Sequence, residues 1–307
     1  MRRQLLFIAT LIAQPGVAMA QDAAAPAPVF KIEQLTPTVA LVLGPGGDVT
    51  VGHGPGEVVL VDAEVPQLAS QLIAAVRTLD PRPIKTVINT HWHFDHVGGD
   101  EALAKTGATI VAQANVQARM AKGGTIAFAQ MSIPPASKAA LPTRTYETSL
   151  SITAGGDVLK LVHVPNAHTD GDTLVKWTRA NILDMGDVYI RYGLPFIDIS
   201  SGGSLKGLIA GVDQGLALSD EHTTIIPGHG EPATRRDLVA YRDQLQQIAK
   251  AVEAQIRAGK PLAEIQALRL ADGWKQAPDA FVKPDAFIAI AYESLTTTAQ
   301  PSGPAQP

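Results

Sequence analysis

The segment INTHWHFDHVGGD, residues 88–100, carries three of the eight histidines of the chain and an aspartate between them. Imidazole nitrogens are preferred ligands of zinc, and a bound zinc needs three or four ligands that converge at about 2 Å. His91 and His93 lie two residues apart on a segment that leaves a strand, so both side chains can point to one side. Asp95 and His96 follow on the next turn and can reach a second point nearby. This spacing suits a pair of metal ions about 3.5 to 4 Å apart.

Two metal ions need more ligands than this one segment provides. We expect the others at the ends of apolar strands, because loops gather functional groups at a sheet edge. The candidates are His168 in VPNAHTDGDT, Asp187 in LDMGDVY and His229 in IIPGHGEP. His53 is interpreted as a turn residue near the mouth of the site. Two further histidines are poorly placed as ligands, one inside an alternating strand and one in a charged connection: His163 and His222.

The motif H-x-H-x-D-H with Gly-Gly, followed by a later histidine, an aspartate and a final Gly-His-Gly, resembles the metallo-β-lactamase superfamily. The likeness covers roughly residues 35 to 240, and an ordered set of motifs is far more specific than a single short pattern. It implies an α/β fold, an αββα four-layer sandwich with the metals at one edge of its two sheets. It also implies two sets of three ligands and a bridging aspartate: His91, His93 and His168; Asp95, His96 and His229; and Asp187.

A closed structural zinc site is the simplest alternative to a catalytic pair. Structural sites are usually closed by four Cys or His ligands, and the chain has no cysteine. Ligands that include carboxylates fit an open site that binds water better. We therefore expect two Zn²⁺ ions per chain, with iron or manganese as possible replacements.

Several residues near the motifs are expected to support the site. Gly98 and Gly99 are predicted to let the backbone turn sharply and bring a helix start close to the metals. Asp62 either accepts hydrogen bonds from the metal loop or is a simple strand-end turn residue. In VYIRYGLPFID, Arg191 and Tyr192 are predicted to bind substrate, with Arg191 facing a substrate carboxylate or remaining in solvent. The segment SSGGS, residues 200–204, is interpreted as a connector.

The resemblance implies hydrolysis. Two zinc ions lower the pKa of a shared water, so that hydroxide attacks a carbonyl group whose oxygen one metal polarises. Asp95, beside that water, is predicted to orient it or to carry a proton to the leaving atom. Flavodiiron reductases of the superfamily have a similar motif, H-x-E-x-D-H. In this chain His93 stands where their glutamate would be, which favours hydrolysis over reduction.

The substrate is less clear from the sequence. True metallo-β-lactamases place Cys or Ser where Asp187 falls, and in this respect the chain is more similar to glyoxalase II and acyl-homoserine lactonases. Glyoxalase II acts on a glutathione thioester, a mainly intracellular compound. An enzyme exported by an N-terminal signal peptide, as residues 1–20 predict for this chain, would rarely meet it. A β-lactam or a lactone is therefore the leading substrate class. The alternatives are a glyoxalase II-like thioester hydrolase, a quinoprotein-associated periplasmic metallo-hydrolase, and an exported binding protein that uses the fold as a scaffold.

The first twenty residues, MRRQLLFIATLIAQPGVAMA, are typical of a secretory signal peptide. Two arginines precede an apolar run that is too short to span a bilayer, and AMA is an A-x-A cleavage site. We predict cleavage after Ala20 and a periplasmic or secreted mature protein that is not inserted in a membrane. The Ala- and Pro-rich residues that follow are interpreted as a flexible leader, 21–34, before a single domain, 35–296, and a disordered tail, 297–307.

The net charge of the chain limits the kinds of molecule that we expect it to bind. Removal of Arg2 and Arg3 with the signal peptide changes the formal net charge from −4 to −6. A mildly acidic protein lacks the basic surface that nucleic acid needs, so we expect a small-molecule substrate and no nucleic acid. The sequence leaves the oligomeric state open.

The elements that must position these residues alternate along the chain. Three short strands without intervening helices come first, then strands and helices in alternation, and the same order is repeated in the second half, which predicts two packed sheets with helices outside. Residues 123–149 are predicted to be irregular because three prolines interrupt any periodicity. The predicted strands lie at 38–44, 48–54, 57–63, 84–90, 108–112 and 223–228 and in LSITA, VLKLVHV, DTLVKWT and NILDMGD; the predicted helices lie at 66–79, 100–105, 114–121, 203–218, 233–258 and 284–296.

Overall fold

The structure is a computed structural model that describes residues 29–297. The predicted signal peptide, residues 1–20, lies outside the described residues, as does the predicted tail apart from its first residue. Within residues 29–297, no helix combines the length and the apolar character needed to cross a membrane.

Strands and helices alternate through the described part of the chain. The strands are β1 (Lys31–Thr36), β2 (Val39–Leu43), β3 (Val49–Gly52), β4 (Val58–Val61), β5 (Ile84–Ile88), β6 (Thr109–Gln113), β7 (Gly124–Ile126), β8 (Met131–Ile133), β9 (Arg144–Tyr146), β10 (Ser149–Ala154), β11 (Asp157–Val164), β12 (Asp172–Trp177), β13 (Ile182–Asp184) and β14 (Thr224–Ile226). The α-helices are α1 (Ala69–Leu79), α2 (Phe94–Val97), α3 (Asp100–Lys105), α4 (Ala114–Lys122), α5 (Leu205–Ala217), α6 (Arg235–Arg257), α7 (Leu262–Ala267) and α8 (Pro284–Thr296).

The strands form two main sheets. The first has seven strands in the order β1-β2-β3-β4-β5-β6-β9, and the second has five in the order β10-β11-β12-β13-β14. The first strands of each sheet are antiparallel, whereas β4, β5 and β6 run parallel to each other, as do β13 and β14. β7 and β8 form a separate hairpin.

Three apolar layers hold the sheets and helices together. Leu41 and Trp177 are fully buried between the two sheets. Leu72 of α1 and Leu103 of α3 pack on the outer face of the first sheet, and Phe287 of α8 packs with α5 and α6 on the outer face of the second. The predicted αββα sandwich is therefore confirmed.

Strands β2 and β4 are apolar along their whole length because both of their faces are covered. In β2, with the sequence VALVL, Val39 and Leu41 face the second sheet while Val42 faces the helices. All four residues of β4 are also buried. Such strands fix their register by packing on both sides, so the loops at their ends start from rigid positions.

The carboxyl ends of the parallel strands meet at one edge of the sandwich. The loop after β5 is tied to the second sheet where the backbone N–H of Thr173 donates to the carbonyl oxygen of Thr90, at 2.8 Å. The loop after β14 is tied to the first sheet where the N–H of Asp48 donates to the carbonyl oxygen of Gly228, also at 2.8 Å. Residues that follow these strands are thus held close together.

Two expectations from the sequence are wrong in detail. β1 begins at Lys31, so residues 31–34, predicted to belong to the flexible leader, form part of a strand. β1 is an edge strand whose charged residues Lys31 and Glu33 are exposed, and it lacks the apolar pattern of an inner strand. Residues 123–149, predicted to be irregular, contain β7, β8 and β9, each only three residues long and too short to show alternation. Helix α7 was not predicted.

Gly98 and Gly99 serve a different purpose from the one predicted. Their φ angles of −62° and −83° lie in the ordinary helical region, so no sharp turn requires glycine there. Instead, a Cβ atom on Gly99 would lie 2.3 Å from the carbonyl oxygen of Ala63, and one on Gly98 would lie 2.4 Å from Cδ of Pro66. The glycines are needed because the backbone packs directly against the segment that follows β4.

We predict that Gly99→Ala lowers the free energy of unfolding by about 1 to 3 kcal/mol, because the added methyl group must displace backbone. Urea denaturation followed by circular dichroism measures this change. Gly273→Ala is the matched control, since a Cβ atom there meets no heavy atom within 4 Å. Equal stability of the two variants would contradict the prediction.

Candidate metal centre

Four of the predicted ligands come from the loop after β5. His91 lies three residues beyond the end of the strand, and His93 is the N-cap residue of the one-turn helix α2. Asp95 and His96 lie on that helix. Hydrogen bonds from the N–H groups of His96 and Val97 to the carbonyl oxygen of His93 hold the turn together.

The other three predicted ligands lie in loops that follow strands of the second sheet. His168 lies in the loop between β11 and β12, where the carboxylate of Asp172 accepts hydrogen bonds from the N–H and the hydroxyl of Thr169. Asp187 lies in the 3₁₀ turn Gly186–Val188 after β13. His229 follows β14, and its carbonyl oxygen accepts a hydrogen bond from the N–H of Arg191.

The structure brings all seven predicted ligands together at this edge. Nε2 of His168 lies 2.9 Å from Nδ1 of His93, and Nε2 of His96 lies 3.2 Å from Nε2 of His229. Two nitrogens bound to one tetrahedral zinc lie about 3.3 Å apart, so these separations suit shared cations. Three overlapping groups have every ligand atom within 4.8 Å of the others: His91, His93 and His168; His91, His96 and Asp187; and Asp95, His96 and His229.

Asp187 lies between the two histidine pairs. Its Oδ2 atom is 3.7 Å from Nε2 of His168. Its Oδ1 atom is 3.4 Å from Nε2 of His96 and 3.5 Å from Nε2 of His229. The two carboxylate oxygens therefore face different histidines, as a bridging ligand requires.

Two ligand atoms lack any hydrogen-bond partner although they are buried. They are Nε2 of His91 and Oδ1 of Asp187. A buried polar atom without a partner is costly, and a cation would satisfy both. Nitrogen and carboxylate oxygen donors are the ligand types that zinc, iron and manganese accept, so the residues present fit a metal centre.

Charge around the ligands also fits a cation. Burial lowers the pKa of His91 well below its ordinary value and lowers that of His168 to about 4, so both imidazoles are neutral, the form that binds metal. Burial also acts to lower the pKa of His96, but the charges of Asp187 and Asp62 outweigh it and hold that pKa well above 6.5. The same carboxylates would stabilise a bound cation at this position.

Hydrogen bonds from the fold hold the outer nitrogens of two histidines through Asp62. Its Oδ2 atom is 2.7 Å from Nδ1 of His96 and accepts the hydroxyl hydrogen of Thr90, also at 2.7 Å. Oγ1 of Thr90 lies 3.0 Å from Nδ1 of His91. Of the two predicted roles for Asp62, the structure supports the first, because its carboxylate accepts hydrogen bonds from the metal loop. Its φ of 67° is unusual for a residue other than glycine.

Asp198 plays the same part for His93 and was missed in the sequence. Its Oδ2 atom lies 3.0 Å from Nε2 of His93, and its backbone N–H donates to the carbonyl oxygen of His168 at 2.9 Å. The hydroxyls of Ser200 and Ser201 donate to its carboxylate. Burial acts to raise the pKa of Asp198, but these hydrogen bonds lower it to about 2. The only sequence signal is the pattern D-x-S-S, which is common at helix starts.

Of the two residues predicted to bind substrate, only one lines the cavity. Tyr192 lines the cavity above the ligands, with its ring centroid 5.5 Å from that of His229. Arg191, predicted to face a substrate carboxylate or to remain in solvent, is exposed and does not line the cavity. Its guanidinium donates to the carbonyl oxygens of Pro232 and Glu231, at 2.5 and 3.3 Å.

The three remaining histidines lie apart from the ligands. His53 follows β3 at the end of the strand opposite Asp48, so it is not near the mouth of the site as expected. Its N–H donates to the carbonyl oxygen of Thr38 at 2.9 Å. His163 bonds through Nε2 to the carbonyl oxygen of Asp170, and His222 is exposed.

The ligands open into a cavity of about 320 Å³, at the lower end of the range for small-molecule sites. Four of the predicted ligands form part of its wall, and most of the remaining wall is apolar. The lining residues are His93, Phe94, Asp95, Ile126, Ala129, Met131, Asp187, Tyr192, Phe196, His229, Asp279 and Phe281.

Comparison with known proteins gives a family match and several structural matches. The model of the metallo-beta-lactamase superfamily matches residues 42–230, more than half of the chain. The fold is similar to that of a stereoselective inverting sec-alkylsulfatase from Pseudomonas sp., with a TM-score of 0.67 and 18% identity over 86% of this chain and 50% of that one. It is also similar to a metallo-beta-lactamase from Pontibacter korlensis, with a TM-score of 0.60 and 17% identity over 71% of this chain and 99% of that one. The chain therefore spans half the length of the alkylsulfatase. No curated protein matches the sequence.

We predict that Asp198→Asn weakens metal binding about tenfold to a hundredfold, because His93 loses the charged partner that orients its ring. Competition with a chromophoric chelator measures the affinity, and circular dichroism checks the fold. Asp170→Asn is the control, since Asp170 pairs with Arg119 and its carboxylate contacts no predicted ligand. Unchanged affinity in Asp198→Asn would show that Asp198 only caps the turn that follows it.

Proposed function

We propose that the chain, which belongs to the metallo-beta-lactamase superfamily, is a metal-dependent hydrolase that cleaves a cyclic ester or amide at a pair of zinc ions. A lactone or a β-lactam is the substrate class. The observation that carries the proposal is the convergence of the seven predicted ligands, four of which line a cavity of small-molecule size. Iron or manganese in place of some zinc is compatible with the same ligand atoms.

The seven residues would hold two metal ions, with Asp187 between the two sets of ligands. The support is that one carboxylate oxygen of Asp187 faces His168 and the other faces His96 and His229. When bound, the metals supply Lewis acidity that activates water and polarises the bond to be cleaved. The first position would be held by His91, His93 and His168, the second by Asp95, His96 and His229, and Asp187 would join them.

Asp95 is the group we assign to proton transfer. It lines the cavity, and its Oδ2 atom lies 3.4 Å from Nε2 of His229 and 3.8 Å from Nε2 of His96. One carboxylate oxygen of Asp95 thus faces these imidazoles. The second oxygen can hold a water molecule at the cavity wall and pass a proton to the leaving atom of the substrate.

Hydrolysis of a sulfate ester is a second candidate. It is favoured by the likeness to the alkylsulfatase, which extends over 86% of this chain, whereas the likeness to the metallo-beta-lactamase from Pontibacter korlensis extends over 71%. At 18% and 17% identity the likeness concerns the fold alone. The two candidates must therefore be distinguished by direct measurement of hydrolysis.

We also propose that the protein is exported. The support is the composition of residues 1–20, with two arginines, a short apolar run and an A-x-A site. A mature chain that begins at Gln21 in the exported fraction agrees with export, whereas an uncleaved cytosolic chain would make the glutathione thioester an accessible substrate.

The test combines N-terminal sequencing and metal analysis of the mature protein with a hydrolysis panel. The panel contains a chromogenic cephalosporin, an acyl-homoserine lactone, S-lactoylglutathione and a secondary alkyl sulfate. We expect two metal equivalents and turnover of the lactone or the cephalosporin that a chelator abolishes and zinc restores. Turnover of only the thioester or only the sulfate would reassign the reaction, and two metal equivalents without any turnover would favour a binding protein.

We predict that Asp95→Asn keeps most of its metal but loses at least about a hundredfold in kcat, because the amide cannot accept a proton. Steady-state kinetics on the best substrate of the panel and metal analysis measure both quantities. Asp243→Asn, on the exposed face of α6, serves as control. Normal turnover by Asp95→Asn would mean that the assigned role is wrong.

A further inference from the structure

The cavity carries a single charged side chain apart from the predicted ligands. That side chain is Asp279, which is exposed at the cavity wall. Apart from it and the hydroxyl of Tyr192, the remaining lining side chains are apolar: Phe94, Ile126, Ala129, Met131, Phe196 and Phe281. Within residues 29–297, no lysine or arginine lines this cavity.

Two cationic side chains close in sequence to the site are directed elsewhere. Arg191 follows the predicted ligand Asp187 but donates to the carbonyl oxygens of Pro232 and Glu231. Lys283 follows Asp279 but donates through Nζ to the carbonyl oxygen of Pro278, at 3.1 Å. A substrate carboxylate that entered the cavity would therefore find no cationic side chain to replace its hydration.

Three phenylalanines from separate segments, Phe128, Phe196 and Phe281, form an aromatic wall. Phe196 and Phe281 line the cavity, and Phe128 packs against both of them from outside it. Their ring centroids lie 5.2 to 5.6 Å from one another. Phe196 is buried and stacks on the ring of His93, with the centroids 5.9 Å apart and the planes 21° apart. Phe128 and Phe281 are 38% and 50% exposed. Exposed aromatic side chains grouped beside a cavity mark a site for an apolar ligand.

We propose that the cavity selects substrates whose non-reacting part is an aryl or branched alkyl group without negative charge, and that Asp279 discriminates against an anionic group at its outer end. The aromatic wall would hold the apolar body of the substrate. This inference rests on the proposed hydrolase function, and it favours neutral lactones and esters over β-lactams that carry a carboxylate.

Three matched thiols test the proposal without requiring turnover. They are benzyl mercaptans with a methyl, a trimethylammonium or a carboxylate group in the para position, and their sulfur is a preferred ligand of zinc. Isothermal titration of the zinc-loaded protein gives each dissociation constant. We expect the methyl and trimethylammonium compounds to bind at least about tenfold more tightly than the carboxylate compound, because the latter pairs with no cation and faces Asp279.

Two variants assign the selectivity to particular side chains. Asp279→Asn is expected to reduce the ratio of trimethylammonium to carboxylate affinity by about threefold to tenfold, the effect of an exposed charge on two opposite charges. Asp285→Asn is the control, because Asp285 is exposed on the adjoining helix α8 and does not line the cavity. Phe281→Ala is expected to weaken the methyl compound about fivefold, whereas Leu268→Ala removes an equally exposed apolar side chain outside the cavity and leaves its affinity unchanged.

The proposal is overturned if the carboxylate compound binds as tightly as the others, if Asp279→Asn leaves the affinity ratio unchanged, or if Phe281→Ala behaves like Leu268→Ala. The hydrolysis panel reports separately on the proposed function. Selective thiol binding without turnover of any ester, lactam or sulfate would remove the proposed function and support the inference about binding. Turnover without thiol selectivity would remove the inference alone.

Discussion

Four buried imidazoles at the sheet edge each have one nitrogen hydrogen-bonded to the fold and the other directed towards the remaining ligands. Asp62 holds His96 directly and His91 through Thr90, Asp198 holds His93, and the carbonyl oxygen of Phe196 holds Nδ1 of His168 at 2.8 Å. These bonds fix the orientation of each ring and the nitrogen that is free to bind a cation. The two sheets matter for function because their packing brings these partners behind the rings.

This constraint links core packing to the chemistry of the site. Asp62 follows β4 and His91 follows β5, two parallel neighbours of which β4 is buried along its whole length and β5 is buried at its carboxyl end. Asp187 and His229 follow β13 and β14, the corresponding parallel pair of the second sheet. A cation between the sheets would therefore be held by loops whose starting points are set by two rigid cores, and the ligands need little rearrangement to converge.

Much of this could be predicted from the sequence, and the part that could not has a physical cause. The ligands were predictable because each follows an apolar strand and their order resembles a known family. Asp198 was not, because its contact with His93 spans 105 residues and depends on how the loops pack. The aromatic wall was missed for the same reason, since each of its three rings comes from a different segment. The sequence also left two positions open for Arg191, and the structure places it outside the cavity because its guanidinium binds backbone carbonyl groups.

Anomalous diffraction at the zinc absorption edge, from crystals of the zinc-loaded protein, tests the central claim most directly. Our account requires two anomalous peaks about 3.5 to 4 Å apart, one beside Nε2 of His91 and the other beside Nε2 of His229, with Asp187 between them. A single peak, or peaks bound to other side chains while the outer nitrogens keep their hydrogen bonds to Asp62 and Asp198, would contradict it.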